Sequence, residues 1–181
     1  MTLHRCILRA RLPLLVALLL PGVIQAADDG APPAKVPCSA PEHRQFDFWL
    51  GNWDVRDPAG KLVGQNVLTR LHKGCVMLES WTGAGGFTGS SLNLYDGDRG
   101  KWHQTWADSG GGLLVLEGDW SDGHMVLAGD TVAAATPGEV TTNRITWTPL
   151  PDGRVRQHWE TSTDKGRTWK TGFDGYYTRR Q

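Results

Sequence analysis

The chain has 181 residues, with 19 basic and 19 acidic side chains, 23 glycines and nine tryptophans. So even a charge balance excludes a surface built to grip nucleic acid or an anionic membrane. Its one long apolar run is too short and too interrupted to span a bilayer.

That run lies in residues 1–26, where Arg5, Arg9 and Arg11 precede Leu12 to Ile24, broken by Pro13 and Pro21 and ending at Ile24-Gln-Ala26. A basic start, a short apolar core and a small terminal residue are the pattern of a secretory signal peptide. No cysteine follows where a lipoprotein would need one, so a soluble periplasmic or secreted product is expected. No membrane association is expected after cleavage. Residues 27–37 read as a flexible polar linker and 38–181 as one domain. Without the three arginines, 16 basic side chains face 19 acidic ones, a net of −3. Cys6 leaves with the signal, and Cys38 and Cys75 remain as an even pair in an oxidising compartment. A disulfide between them is predicted, tying the start of the helical segment below to the head of a strand at Cys75.

Ser39 and Glu42, three apart, read as a capping box, and Pro41 suits a first helical turn. Phe46, Trp49 and Leu50 then share one helical face, and Gly51 ends the helix. Beyond it Trp53 and Val55 alternate with Asn52, Asp54 and Arg56, which is strand spacing. Alternating segments follow, separated by the turn signals Asp57-Pro-Ala-Gly60, Asp96-Gly97, Asp122-Gly123, Pro151-Asp-Gly153 and Asp164-Lys-Gly166. Strands are predicted at 52–57, 61–71, 75–82, 87–95, 101–108, 113–120, 124–130, 140–148, 154–162 and 168–178. Such a meander predicts an all-β fold, a roughly ten-stranded antiparallel up-and-down barrel closed at one end by a short N-terminal helix. The alternative is a sandwich of two sheets, which the lack of long crossovers disfavours.

Alternation also assigns faces. Arg154, Arg156, His158 and Glu160 share a solvated side, so Val155, Gln157 and Trp159 point inward. By the same rule Trp102, Gln104 and Trp106, Ile145 and Trp147, and Trp169, Thr171, Phe173 and Tyr177 face in. The parity of 75–82 and 87–95 is open; aromatic parity would turn Glu79, Trp81, Ser91, Asn93 and Tyr95 inward. A dry core prefers aliphatic residues, whereas planar rings beside convergent polar groups are what small-molecule pockets contain. The candidate cavity walls are therefore Glu79, Trp81, Asn93, Tyr95, Trp102, Gln104, Trp106, Gln157, Trp159 and Phe173, suited to a small planar or hydroxylated ligand. A bore filled by these same side chains is the competing arrangement.

Signs of catalysis are few. The six histidines make no metal-ligand pair, and His103 and His158 fall on outward faces. Gly89-Ser90-Ser91 lacks the helix of a nucleophile elbow. Gly83-Ala-Gly-Gly86 and Gly110-Gly-Gly112 open no helix and read as loops at a barrel mouth. An enzyme would have to use Glu79 or Asp108, and neither has a partner constellation; no metal or cofactor is called for. Ser162-Thr-Asp-Lys-Gly-Arg-Thr-Trp169 resembles the Asp-box hairpin of sialidase propellers, but it occurs once and reads as a structural turn.

Together, Phe46-Asp-Phe-Trp-Leu-Gly-Asn-Trp-Asp-Val55, Leu92-Asn-Leu-Tyr-Asp96, Trp102-His-Gln-Thr-Trp106, Arg144-Ile-Thr-Trp-Thr-Pro149 and Phe173-Asp-Gly-Tyr-Tyr-Thr-Arg-Arg180 resemble a family of uncharacterised secreted bacterial domains with a lipocalin-like (calycin) barrel. The resemblance implies a fold and no activity. It also implies a basic residue, Arg179 or Arg180, stacked over Trp53. A haem barrel similar to nitrobindin is an alternative, but that family's ligand is a late-strand histidine, and the last strand here has none. A structural or interaction module with a filled core is the other.

Overall fold

The structure is a computed structural model that describes residues 36–132 and 138–180. The signal peptide expected at 1–26 and most of the linker expected at 27–37 lie outside the described residues. Among the described residues no helix is long and apolar enough to cross a membrane.

Ten strands follow one another: β1 (Gly51–Arg56), β2 (Leu62–Leu71), β3 (Val76–Gly83), β4 (Thr88–Asp96), β5 (Lys101–Asp108), β6 (Leu113–Ser121), β7 (His124–Val132), β8 (Val140–Pro149), β9 (Val155–Ser162) and β10 (Lys170–Arg179). Each begins and ends within two residues of its predicted bounds. Every neighbouring pair is antiparallel, and β1 pairs with β10 through Trp53 opposite Arg179, so the sheet closes into a barrel. Closure, and not a second sheet, satisfies the two edge strands. This architecture is consistent with a calycin-like barrel.

The single predicted helix is instead two 3-10 turns, Pro41–Arg44 and Asp47–Trp49. The capping box does not form: Ala40 takes the N-cap position without a side-chain bond, and the Ser39 hydroxyl donates to the Val36 carbonyl at 2.9 Å. Phe46, at φ −101° and ψ 7°, interrupts the helical run. The break lets Phe46 and Trp49, both fully buried, stack with centroids 5.0 Å apart inside the barrel end. Pro41 does sit in the first turn.

Two clamps hold this plug. Cys38 and Cys75 are bonded as predicted, with Cα atoms 5.1 Å apart. Cys75 caps the 3-10 turn His72–Gly74 immediately before β3 and is not itself in the strand. Arg44 reinforces the same corner, donating to the carbonyls of Cys38 at 2.9 Å and Gly74 at 2.7 Å. Of the two candidate arginines it is Arg179 that stacks over Trp53, 4.4 Å from the ring centroid. Arg180 instead donates its backbone N–H to the Asn52 carbonyl. Gly51, at φ 129°, is required here, because a Cβ would stand 2.5 Å from the Arg179 guanidinium.

One face assignment fails. The β9–β10 ladder slips between Thr171 and Phe173, and a bulge inverts the alternation on its far side. Thr171 accordingly meets His158 on the outer wall. Trp169 also lies outside, under the Arg144 guanidinium at 3.9 Å. Phe173 and Tyr177 remain inward.

Candidate functional site

The plug fills only one end of the bore. Phe46, Trp49, Trp53, Trp102, Trp147 and Tyr177 pack into a single buried cluster there. Towards the other end, where β3, β5 and β9 finish and β4 and β10 begin, a cavity of about 360 Å³ remains. Its walls include Trp81, Trp106, Trp159, Phe173, Leu114 and Ile145. One step deeper along the same strands lie Glu79, Gln104, Gln157 and Tyr177, which form a polar floor.

The bore stays open because three of its rings lie flat against glycines. A Cβ on Gly64 would stand 2.5 Å from Trp81, one on Gly89 2.2 Å from Trp106, and one on Gly175 2.5 Å from Phe173. Without side chains at these positions, Trp81 and Trp106 rest on the neighbouring strand and Phe173 on its own strand two residues on, and none crosses the lumen. Two indoles are also pinned by their N–H groups. Trp106 donates to Asp108 Oδ2 and Trp159 to Asn143 Oδ1, each at 3.1 Å. The aromatic walls are thus held in place before anything enters.

Beneath them runs a chain of buried hydrogen bonds. Asn66 Nδ2 donates to Glu79 Oε1 at 2.7 Å, and the Ser91 hydroxyl donates to Glu79 Oε2 at 2.5 Å. Asn93 Nδ2 donates to Ser91 Oγ and Gln104 Nε2 to Asn93 Oδ1, both at 2.8 Å. Across the bore the Tyr177 hydroxyl donates to Gln157 Oε1. Burial pushes the Glu79 carboxyl up to about 7, although its bonds from Ser91 and Asn66 favour the ionised form. Burial raises the Tyr177 phenol too, helped by the nearby Glu79.

Of the residues expected to line a cavity, Glu79, Trp81, Gln104, Trp106, Gln157, Trp159 and Phe173 do so. Asn93 is fully buried behind the walls and contributes through Gln104 and Ser91. Tyr95 and Trp102 belong to the closed end. They flank the β4–β5 hairpin, where Trp102 Nε1 donates to Gln45 Oε1 at 3.0 Å and Tyr95 packs edge-on to His43. Parity turns Trp102 inward, and Tyr95 only if β4 follows aromatic parity, but it says nothing of depth along the axis.

Sequence reasoning passed over Asn66, Asn143 and the three glycines. On β2 no plainly solvated side marks a face, so the inward alternation of Gly64, Asn66 and Leu68 went unassigned. Asn143 carried a usable signal, since it alternates with the inward Ile145 and Trp147.

The other chemistries considered find no seat in the cavity. Asp108 spends its carboxylate on Trp106 and on the backbone N–H groups of Gly110 and Gly112, which hold it below the usual carboxylate range. Among the described residues no three His, Cys, Asp or Glu side chains converge as a metal site. Among the described residues no histidine, cysteine or methionine stands in the cavity walls, and His158 bonds Thr171 on the outer face, so the residues present do not fit a haem ligated in that way. The Asp-box segment is a turn: Asp164 accepts from the N–H groups of Arg167 and Thr168, each at 2.9 Å, and Trp169 Nε1 donates to the Gly166 carbonyl.

The chain matches no family model and no curated protein. The cavity therefore carries the functional reading by itself.

Proposed function

We propose that this protein is a small-molecule-binding β-barrel, periplasmic or secreted, that holds a planar or hydroxylated ligand in the open half of its bore. The proposal extends to membership of the secreted bacterial lipocalin-like family that its motifs resemble. One observation carries the binding reading: a cavity with pinned aromatic walls and a hydrogen-bonded polar floor sits directly above a fully packed aromatic cluster. A barrel needing only stability would fill both halves, because unfilled space forfeits dispersion contacts. The three wall glycines weaken their strands and supply nothing to packing except room for rings. The disulfide supports an oxidising compartment.

Native mass spectrometry of the protein isolated from its own cells, compared with its denatured mass, tests this. A retained small molecule is expected, and adding it back should change the emission of the wall tryptophans. No retained mass, together with unchanged emission across a panel of planar and hydroxylated compounds, would leave the barrel as a structural or interaction module.

A further inference from the structure

We infer that the ligand is an organic cation, a planar group bearing a protonated nitrogen, with its ring among Trp81, Trp106, Trp159 and Phe173 and its N–H directed at the Glu79 carboxylate. This rests on the binding reading above and deepens it by naming the ligand class.

The walls contain two ionisable side chains, Glu79 and Tyr177, and both are acids. Among the described residues no lysine, arginine or histidine lines the cavity. Aromatic faces carry a negative quadrupole, so four rings around one carboxyl form an environment of one sign. An anionic ligand would meet that field without a counter-charge.

The floor is prepared for a carboxylate. Both Glu79 oxygens accept hydrogen bonds, from Asn66 and Ser91, and each keeps a free lone pair. The groups facing Glu79 are Asn66 on β2, Ser91 on β4 and, across the bore, Tyr177 on β10, and none is basic. Its charge is thus solvated by dipoles but lacks a partner, which is why burial wins and the group holds its proton up to about 7. Asn66 Oδ1 is a further buried acceptor without a hydrogen bond among the described residues. A ligand cation would supply the missing charge and donors, and Glu79 would release its proton to solvent as the cation enters. A neutral ring would leave the carboxyl uncompensated.

Three probes sharing one ring system test this by calorimetry on the disulfide-bonded protein: 2-naphthylmethylamine, 2-naphthalenemethanol and 2-naphthoate. The amine should bind at least about ten-fold more tightly than the alcohol near pH 8, and the naphthoate most weakly. Amine affinity should rise between about pH 6 and about pH 8, where the amine stays a cation while Glu79 ionises. In Glu79→Gln the difference between amine and alcohol should collapse. Should that variant misfold, the pH profile of the unaltered protein stands in its place. Equal binding of amine and alcohol, or an amine preference that is flat with pH, would overturn the cation assignment and keep the binding reading. If none of the three probes binds, both fail.

Discussion

The two ends of the barrel are built from the same residue types and end in different states. At the closed end Phe46, Trp49, Trp102, Trp147 and Tyr177 pack with centroids 5.0–6.0 Å apart. At the open end Trp81 and Phe173 meet edge-on at 6.0 Å, and the rings lie against strand glycines. The difference lies in what stands opposite each ring. Below, the two 3-10 turns insert Phe46 and Trp49 into the lumen; above, glycine lets the rings withdraw from it. Polar bookkeeping differs in the same sense. The Trp49 and Trp147 indole N–H groups are buried without a partner among the described residues, whereas Trp106 and Trp159 are both bonded. An unpaired buried donor costs about 1–3 kcal/mol, so Trp49 and Trp147 trade polar satisfaction for packing, while Trp53 and Trp102 beside them keep bonds to the Trp49 carbonyl and to Gln45. The open end spends hydrogen bonds on fixing ring position.

If that division is right, aromatic truncations should separate the two ends. Trp147→Ala should lower unfolding stability in urea by about 3–5 kcal/mol, because its ring is wholly enclosed. Trp159→Ala, at the half-buried cavity wall, should lose less than half as much; equal losses would erase the distinction between the ends. Replacing Cys38 and Cys75 by serine opens a link spanning 37 residues and should cost about 3–4 kcal/mol in the same measurement. A loss under about 1 kcal/mol would mean that packing alone holds the plug.

The polar floor makes a prediction of the opposite kind, through pH. Glu79 has a folded pKa of about 7, above its ordinary 4.5, so the folded state binds more protons between those values. Its contribution to stability is full below about pH 4.5 and is lost as pH rises through about 7. From about pH 5 to about pH 8 the unaltered protein should lose about 1–3 kcal/mol relative to Glu79→Gln. Parallel stability curves for the two proteins would show that the carboxyl is not desolvated as described. The smallest effect is expected at the seam, where Arg179→Ala removes the guanidinium over Trp53 and should cost about 0.5–2 kcal/mol in thermal unfolding. Arg180→Ala, with no ring beneath it, should cost less.

Much of the architecture was readable from residue order. Ten alternating runs separated by Asp-Gly and Pro-x-Gly turns place all ten strands, because strand periodicity and turn chemistry are local. The helix was misread because Ser39, Glu42 and Pro41 satisfy a local rule that the insertion of Phe46 overrides. Trp169 and Thr171 were misread because a bulge leaves no mark on composition. At the site, parity found the inward side chains, and seven of its ten wall residues reach the cavity. Asn66 was missed because its strand has no plainly solvated side from which to assign faces.

Strand number, strand order, the aromatic plug and the even cysteine pair follow from the amino-acid order, since each rests on periodicity, a turn signal or a count. Depth along the bore does not. Whether an inward tryptophan joins the packed cluster, as Trp102 does, or borders the cavity, as Trp106 does four residues later on the same strand, depends on what faces it in the bore. Phe46 and Gln45 of the plug meet Trp102, and Trp106 stands beyond their reach. The registers of β2 on β3, β3 on β4 and β4 on β5 bring Gly64 under Trp81, Glu79 between Asn66 and Ser91, and Gly89 under Trp106. Closure of the sheet brings Trp81 against Phe173. The open half of the barrel is a property of that register, because an inward side chain acquires its neighbours only when strands pair and the sheet curls into a bore.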